Sequence, residues 1–218
     1  RRASWAGLFT ATFPFAFFFG AVYSEALFLA ATVGCVLLFR TRRWILGGLC
    51  GALATATRVN GIMMWPALAW IVWRQVGGSN TVSREDRLRA IAGLLLVPLG
   101  ISAYSLYILA ITGRPFEWAA VIERWGYHPG GSPVSVLWSL GHALVMRPYA
   151  FLAGERMAPY DSLNGLAAVF AILALPFVWR SLGAGYGAFM AANLWLPLSS
   201  GQIEGMGRYV AVLFPLFI

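Results

Sequence analysis

Residues 44–73 read WILGGLCGALATATRVNGIMMWPALAWIVW, and this stretch decides the fold. Two apolar runs, 44–56 and 62–73, flank Thr57-Arg58-Val59-Asn60-Gly61. Each run is too short to cross roughly 30 Å of hydrocarbon upright, which takes about 20 helical residues. The pair therefore reads as a hairpin of short or broken helices. Irregular backbone at membrane depth is tolerated only where protein buries it or where it lines a wet cavity. Arg58 and Asn60 are expected to face such a cavity, with Asn60-Gly61 allowing a sharp turn.

The rest of the chain agrees with that setting. It is 60% hydrophobic and only 11% charged, where a soluble domain averages about 25% charged residues. Apolar runs recur along the whole length, and stretches such as Gly93-Leu94-Leu95-Leu96-Val97 do not alternate as barrel strands do. The expected class is an all-α polytopic integral membrane protein. Apolar segments are expected at 3–20 (interrupted by Pro14), 21–39, 90–111, 163–179 and 185–198, with an incomplete one from Tyr209. Residues 74–89 form a polar loop, and Ser83 ahead of Glu85 and Asp86 is placed to cap the following helix. The chain opens without methionine and stops inside an apolar run, so 1–218 reads as a single transmembrane domain, a fragment cut at both ends. It shows no internal repeat.

The charge of +8 comes from 16 arginines and no lysine. These arginines flank apolar segments, which reflects topology rather than nucleic-acid binding. Placing residues 1–2, 40–43, 74–89 and 180 inside gives ten arginines against two acids there. Six arginines against six acids remain outside. The split obeys the positive-inside rule, provided that 134–153, which carries His142, Arg147 and Pro148, lies at the interface instead of crossing. Glu25, Arg58, Asn60, Glu123, His128, Glu204 and Arg208 then share the outer face, where they are expected to line one cleft.

Several of these residues could carry chemistry. Glu25 is a candidate general base, a phosphate-coordinating metal ligand, or a partner for Arg58. The Arg58 fork suits a phosphate or carboxylate, and pairing with Glu25 is the alternative. Arg208 and Tyr209 close the glycine-rich stretch 199–208, which can fold over a ligand or simply anchor the interface. Trp118, Trp125, Tyr127 and Trp138 either form a headgroup belt or stack on sugar rings. Cys35 and Cys50 are buried packing residues. His128 and His142 are isolated, so no metal site is assigned. With no glycine loop for a nucleotide phosphate, a lipid-linked donor fits better than a nucleotide sugar.

Residues 14–28, with Ala21-Val22-Tyr23-Ser24-Glu25-Ala26-Leu27-Phe28, resemble the PIG-V family of mannosyltransferases. So do Ala54-Thr55-Ala56-Thr57-Arg58-Val59-Asn60-Gly61, the stretch 113–125, and Gly207-Arg208-Tyr209 leading into Phe214-Pro215, in the family's order. The resemblance implies a multi-span helical bundle of the GT-C type, with short or broken helices and outer-face loops. It implies a membrane enzyme moving mannose from a polyprenyl (dolichyl-type) phosphate mannose donor to a lipid-linked or glycan acceptor. Eukaryotic members act in glycosylphosphatidylinositol-anchor assembly at the endoplasmic reticulum; a bacterial homologue would sit in the plasma membrane. On this reading Glu25 is catalytic or orienting, with the family's main acid upstream of Arg1. Arg58, Asn60, Trp125, Arg208 and Tyr209 bind substrate, and a divalent ion beside Glu25 is the one cofactor admitted. A transporter or flippase of a lipid-linked sugar, or a non-catalytic membrane subunit, are the rival readings.

Overall fold

The computed structural model describes residues 2–77, 82–124, 131–154, 159–201 and 203–218, and every regular element among them is helical. The expected all-α class is what the chain adopts. Helix α1 (Arg2–Thr12) stops just before Pro14, and a 3-10 turn, Ala16–Phe19, follows it. Proline's missing N–H and fixed φ account for the stop. Helix α2 (Glu25–Arg40) begins four residues later than the apolar run does, at the carboxylate itself. An acid in the first turn and Arg40 in the last complement the helix dipole.

Residues 44–73 form the broken hairpin expected of them. Helix α3 (Trp44–Thr57) ends at Arg58, whose backbone is extended, and a 3-10 stretch, Val59–Met64, turns the chain into α4 (Trp65–Val72). A π-turn, Trp73–Gly77, closes α4. Ser83 caps α5 (Arg84–Leu96), its hydroxyl accepting from the Asp86 N–H at 3.1 Å. After the kink at Pro98, α6 (Leu99–Thr112) continues α5. Residues 84–112 thus form one apolar rod of 29 residues, about 43 Å long at 1.5 Å per residue.

Helix α7 (Glu117–Arg124) follows the left-handed Gly113. The stretch 134–153 does not form one helix: Arg147-Pro148 splits it into α8 (Pro133–Met146) and α9 (Pro148–Ala153). The last elements are α10 (Pro159–Ser181), α11 (Ala184–Leu198), α12 (Met206–Ala211) and a 3-10 turn, Phe214–Leu216. Two helical segments among the described residues, 84–112 and 160–181, are long and apolar enough to cross a membrane.

Glycine lets α3 and the α5–α6 rod touch backbone to backbone. A Cβ at Gly48 would strike the Gly93 carbonyl, one at Gly93 the Trp44 carbonyl, and one at Gly100 the Ala52 carbonyl. Small residues at such a seam allow the approach that dispersion contacts need. Thr55 Oγ1 fastens it by donating to the Val97 carbonyl at 2.7 Å.

Polarity is distributed inside out. Glu25, Asn60, Asn164 and Asn193 are buried, while Leu37, Leu49, Leu106, Ile111, Leu173 and Phe177 are exposed. The two ends of the bundle also differ. At one end Arg40 Nη1 meets the Tyr186 hydroxyl at 3.2 Å, Arg42 lies 3.8 Å from Asp86, and Trp44 Nε1 donates to Asp86 at 2.7 Å. The other end gathers the remaining polar residues of interest.

Candidate functional site

That second end is built from four helix termini. Glu25 opens α2, Arg58 follows the last residue of α3, Asn164 lies in the second turn of α10, and Arg208 sits in α12. Glu25 is 1% exposed, and its Oε1 accepts from Arg58 Nη1 at 2.7 Å. Arg208 Nη1 approaches the same oxygen at 3.9 Å. Two guanidinium groups therefore share one buried carboxylate, and the cluster has a net charge of +1.

Aromatic rings cover both cations. The Arg58 guanidinium carbon lies 5.0 Å from the Tyr209 ring centroid and 5.8 Å from that of Phe28. For Arg208 the rings are Phe18 at 5.3 Å and Tyr23 at 5.4 Å. Such faces hold a guanidinium in place while leaving its edge for hydrogen bonding. The Arg58 and Arg208 side chains retain 13% and 26% of their exposure, so both can be reached from outside. Glu25 Oε2 and Arg208 Nε have no hydrogen-bond partner among the described residues.

The segment carrying Arg208 is shaped by glycine. Gly201 and Gly205 both have left-handed backbone, at φ +78° and +73°. Gly207 lies against the Phe15 ring, which occupies the space a Cβ would need. The Gly207 N–H donates to Asn164 Oδ1 at 2.8 Å, which fixes α12 on α10. Beside this segment lies a cavity of about 410 Å³, lined by Ser135, Val136, Ser139, Leu140, Ala143, Asp161, Gly201, Ile203 and Glu204.

Glu25, Arg58, Arg208 and Tyr209, named from the sequence, come together here. Pairing of Arg58 with Glu25 and exposure to a ligand are not exclusive, because the second arginine supplies the excess charge. Asn60 has a different place: its Nδ2 donates to Asn193 Oδ1 at 2.9 Å, and Asn193 Nδ2 donates to the Phe189 carbonyl. It ties the 3-10 turn to α11 instead of facing an open cleft. Trp125, Tyr127 and His128 lie outside the described residues. Trp118 donates to Ser105 at 3.1 Å, whereas Trp138 and His142 are exposed.

One carboxylate between two cations is a poor donor set for a divalent ion. No group of three or more His, Cys, Asp or Glu gathers among the described residues. Asn164 and Asn193 were not singled out from sequence. Each is a lone amide inside an apolar helical run, which is the signal that could have found them. Comparison with protein-family models, curated proteins and solved structures gave no match.

Proposed function

We propose that the chain is a multi-pass membrane glycosyltransferase with a GT-C-type bundle. It transfers a sugar, mannose on the resemblance to the PIG-V family, from a polyprenyl-phosphate donor to a lipid-linked or glycan acceptor. The observation that carries this reading is the pair of arginines on one buried carboxylate. A net positive, aromatic-walled cluster is suited to a phosphate that gains charge as its sugar departs. In the reaction the acceptor oxygen bonds to the anomeric carbon as the carbon–oxygen bond to phosphate breaks. The bonding pair leaves on the lipid phosphate, and the acceptor's proton passes to a carboxylate. Arg58 and Arg208 neutralise the departing phosphate. Glu25 orients both arginines, since its Oε1 is committed to them.

Outward leucine and phenylalanine side chains and two spanning-length segments support the membrane setting. The arginine-rich end faces the cytoplasm and the Glu25 end the opposite side. A carrier would need a polar path between the two ends. Of the buried hydroxyls between them, Thr32 bonds to the Leu29 carbonyl and Thr55 to the Val97 carbonyl, so neither offers one.

The test uses the full-length protein in membranes with radiolabelled polyprenyl-phosphate mannose. Label should pass to a lipid or glycan acceptor with wild type and fall by about a hundredfold or more with Arg58→Lys, which keeps charge but loses the fork. Equal transfer by both would remove the arginine cluster from the reaction. No transfer by correctly inserted wild type would contradict this donor.

A further inference from the structure

The cavity beside the Arg208 segment has no part in the phosphate chemistry just described, yet its lining is selective. Its polar lining consists of Asp161, Glu204, Ser135 and Ser139. Both serine hydroxyls spend their protons on backbone carbonyls: Ser135 Oγ donates to Ser132 O at 2.8 Å, and Ser139 Oγ to Ser135 O at 2.9 Å. What they offer a ligand is therefore lone pairs, and an ionised carboxylate offers nothing else. The rest of the lining is apolar, supplied by Val136, Leu140, Ala143 and Ile203. An occupant must bring both hydrogen-bond donors and carbon surface. A volume of about 410 Å³ falls within the roughly 300–1,000 Å³ of small-molecule sites.

We infer that this cavity is a subsite for a hydroxyl-rich ring, a sugar or cyclic polyol, whose hydroxyls donate to Asp161 and Glu204 while its C–H face rests on Leu140 and Ile203. The inference deepens the transferase reading and rests on it for the ring's role as acceptor. The placement supports that role. Ile203 and Glu204 line the cavity, and Arg208, four residues after Glu204, reaches Glu25. A single segment thus joins one acceptor of the cavity, Glu204, to an arginine of the phosphate cluster, the two surfaces a sugar must meet during transfer.

Binding can be read without catalysis. Saturation-transfer NMR on the detergent-solubilised protein would use methyl α-mannopyranoside, methyl α-glucopyranoside and myo-inositol as probes. Saturation should pass to at least one of them, strongest at its C–H protons. Affinity should fall by about tenfold in Asp161→Asn and binding should vanish in Ser139→Phe, which adds bulk from an exposed position. Arg58→Lys should bind the ring as wild type does. Binding of polyprenyl monophosphate, measured separately, should be unaffected by Ser139→Phe, so failure of the cavity and failure of the phosphate site give different results. No transfer to any of the three probes, or equal transfer in both cavity variants, would overturn the inference. Displacement of the ring signal by manganese or ethanolamine at lower concentration would also overturn it and reassign the cavity to a cation.

Discussion

At the scale of single residues, Glu25 governs the site because it is both buried and shared. A carboxylate 1% exposed is tolerable only with cations on it. Arg58→Ala should therefore destabilise the fold by up to about 3–5 kcal/mol, because it removes the hydrogen-bonded cation and leaves the buried carboxylate only the more distant Arg208. Adding Glu25→Gln should restore most of that stability without restoring transfer. Thermal unfolding of the two variants in detergent separates the effects, and equal melting temperatures for single and double variants would contradict the shared-carboxylate geometry. Gly207 is the second critical position. Gly207→Ala pushes a methyl group into the Phe15 ring, and overpacking of this kind costs about 1–3 kcal/mol. Its consequence for function is a displaced Arg208, so weaker donor binding should accompany the lower melting temperature. Glu25, Arg58 and Arg208 were legible in the sequence as lone charges beside apolar runs. Their convergence was not, because periodicity places a residue on an element and not opposite another one. The Asn60–Asn193 bond was hidden for the same reason: its partners stand 133 positions apart.

At the scale of elements, two contacts position the site. The first is the glycine seam between α3 and the α5–α6 rod, which holds the hairpin upright and so sets where Arg58 emerges. Gly93→Leu should separate the helices and lower the yield of folded protein, whereas Gly7→Leu, at a glycine with open space around it, should not. Size-exclusion profiles of the two variants make the comparison, and matching profiles would remove the seam from the account. The second contact is the amide pair. Asn193→Leu leaves the Asn60 amide buried without its partner, a loss of about 1–3 kcal/mol. The double variant with Asn60→Leu should recover part of it. The sequence disclosed the broken hairpin because its two apolar runs were too short to span and were joined by Arg58-Val59-Asn60-Gly61. It disclosed the Pro14 break through proline, whereas the break at Arg147-Pro148 was not legible in it, the stretch 134–153 reading as one interfacial helix. The late start of α2, at Glu25, was not readable, since Ala21 and Val22 look no different from the apolar residues that follow.

At the scale of the whole molecule, charge divides between two ends that α2 separates by 16 residues, about 24 Å along its axis. The α5–α6 rod fixes the depth of the site. Gly100 packs on Ala52 and Thr55, three residues before Arg58, and α6 runs on to Thr112, about 18 Å further. The ion cluster is thus recessed below the tip of α6 and flanked by apolar surface, the place where a lipid-borne phosphate could enter sideways from a bilayer. In a background lacking Cys35 and Cys50, cysteines at positions 84 and 135 should react with an impermeant thiol reagent from opposite sides of the membrane. Labelling from one side only would contradict the division. The central claim is that the two arginines on Glu25 hold a lipid-linked phosphate, and equilibrium binding of polyprenyl monophosphate to the purified protein tests it most directly. The account predicts saturable binding by wild type, weakened at least about tenfold by Arg58→Lys and by Arg208→Lys alike. Unchanged affinity in both variants would contradict it.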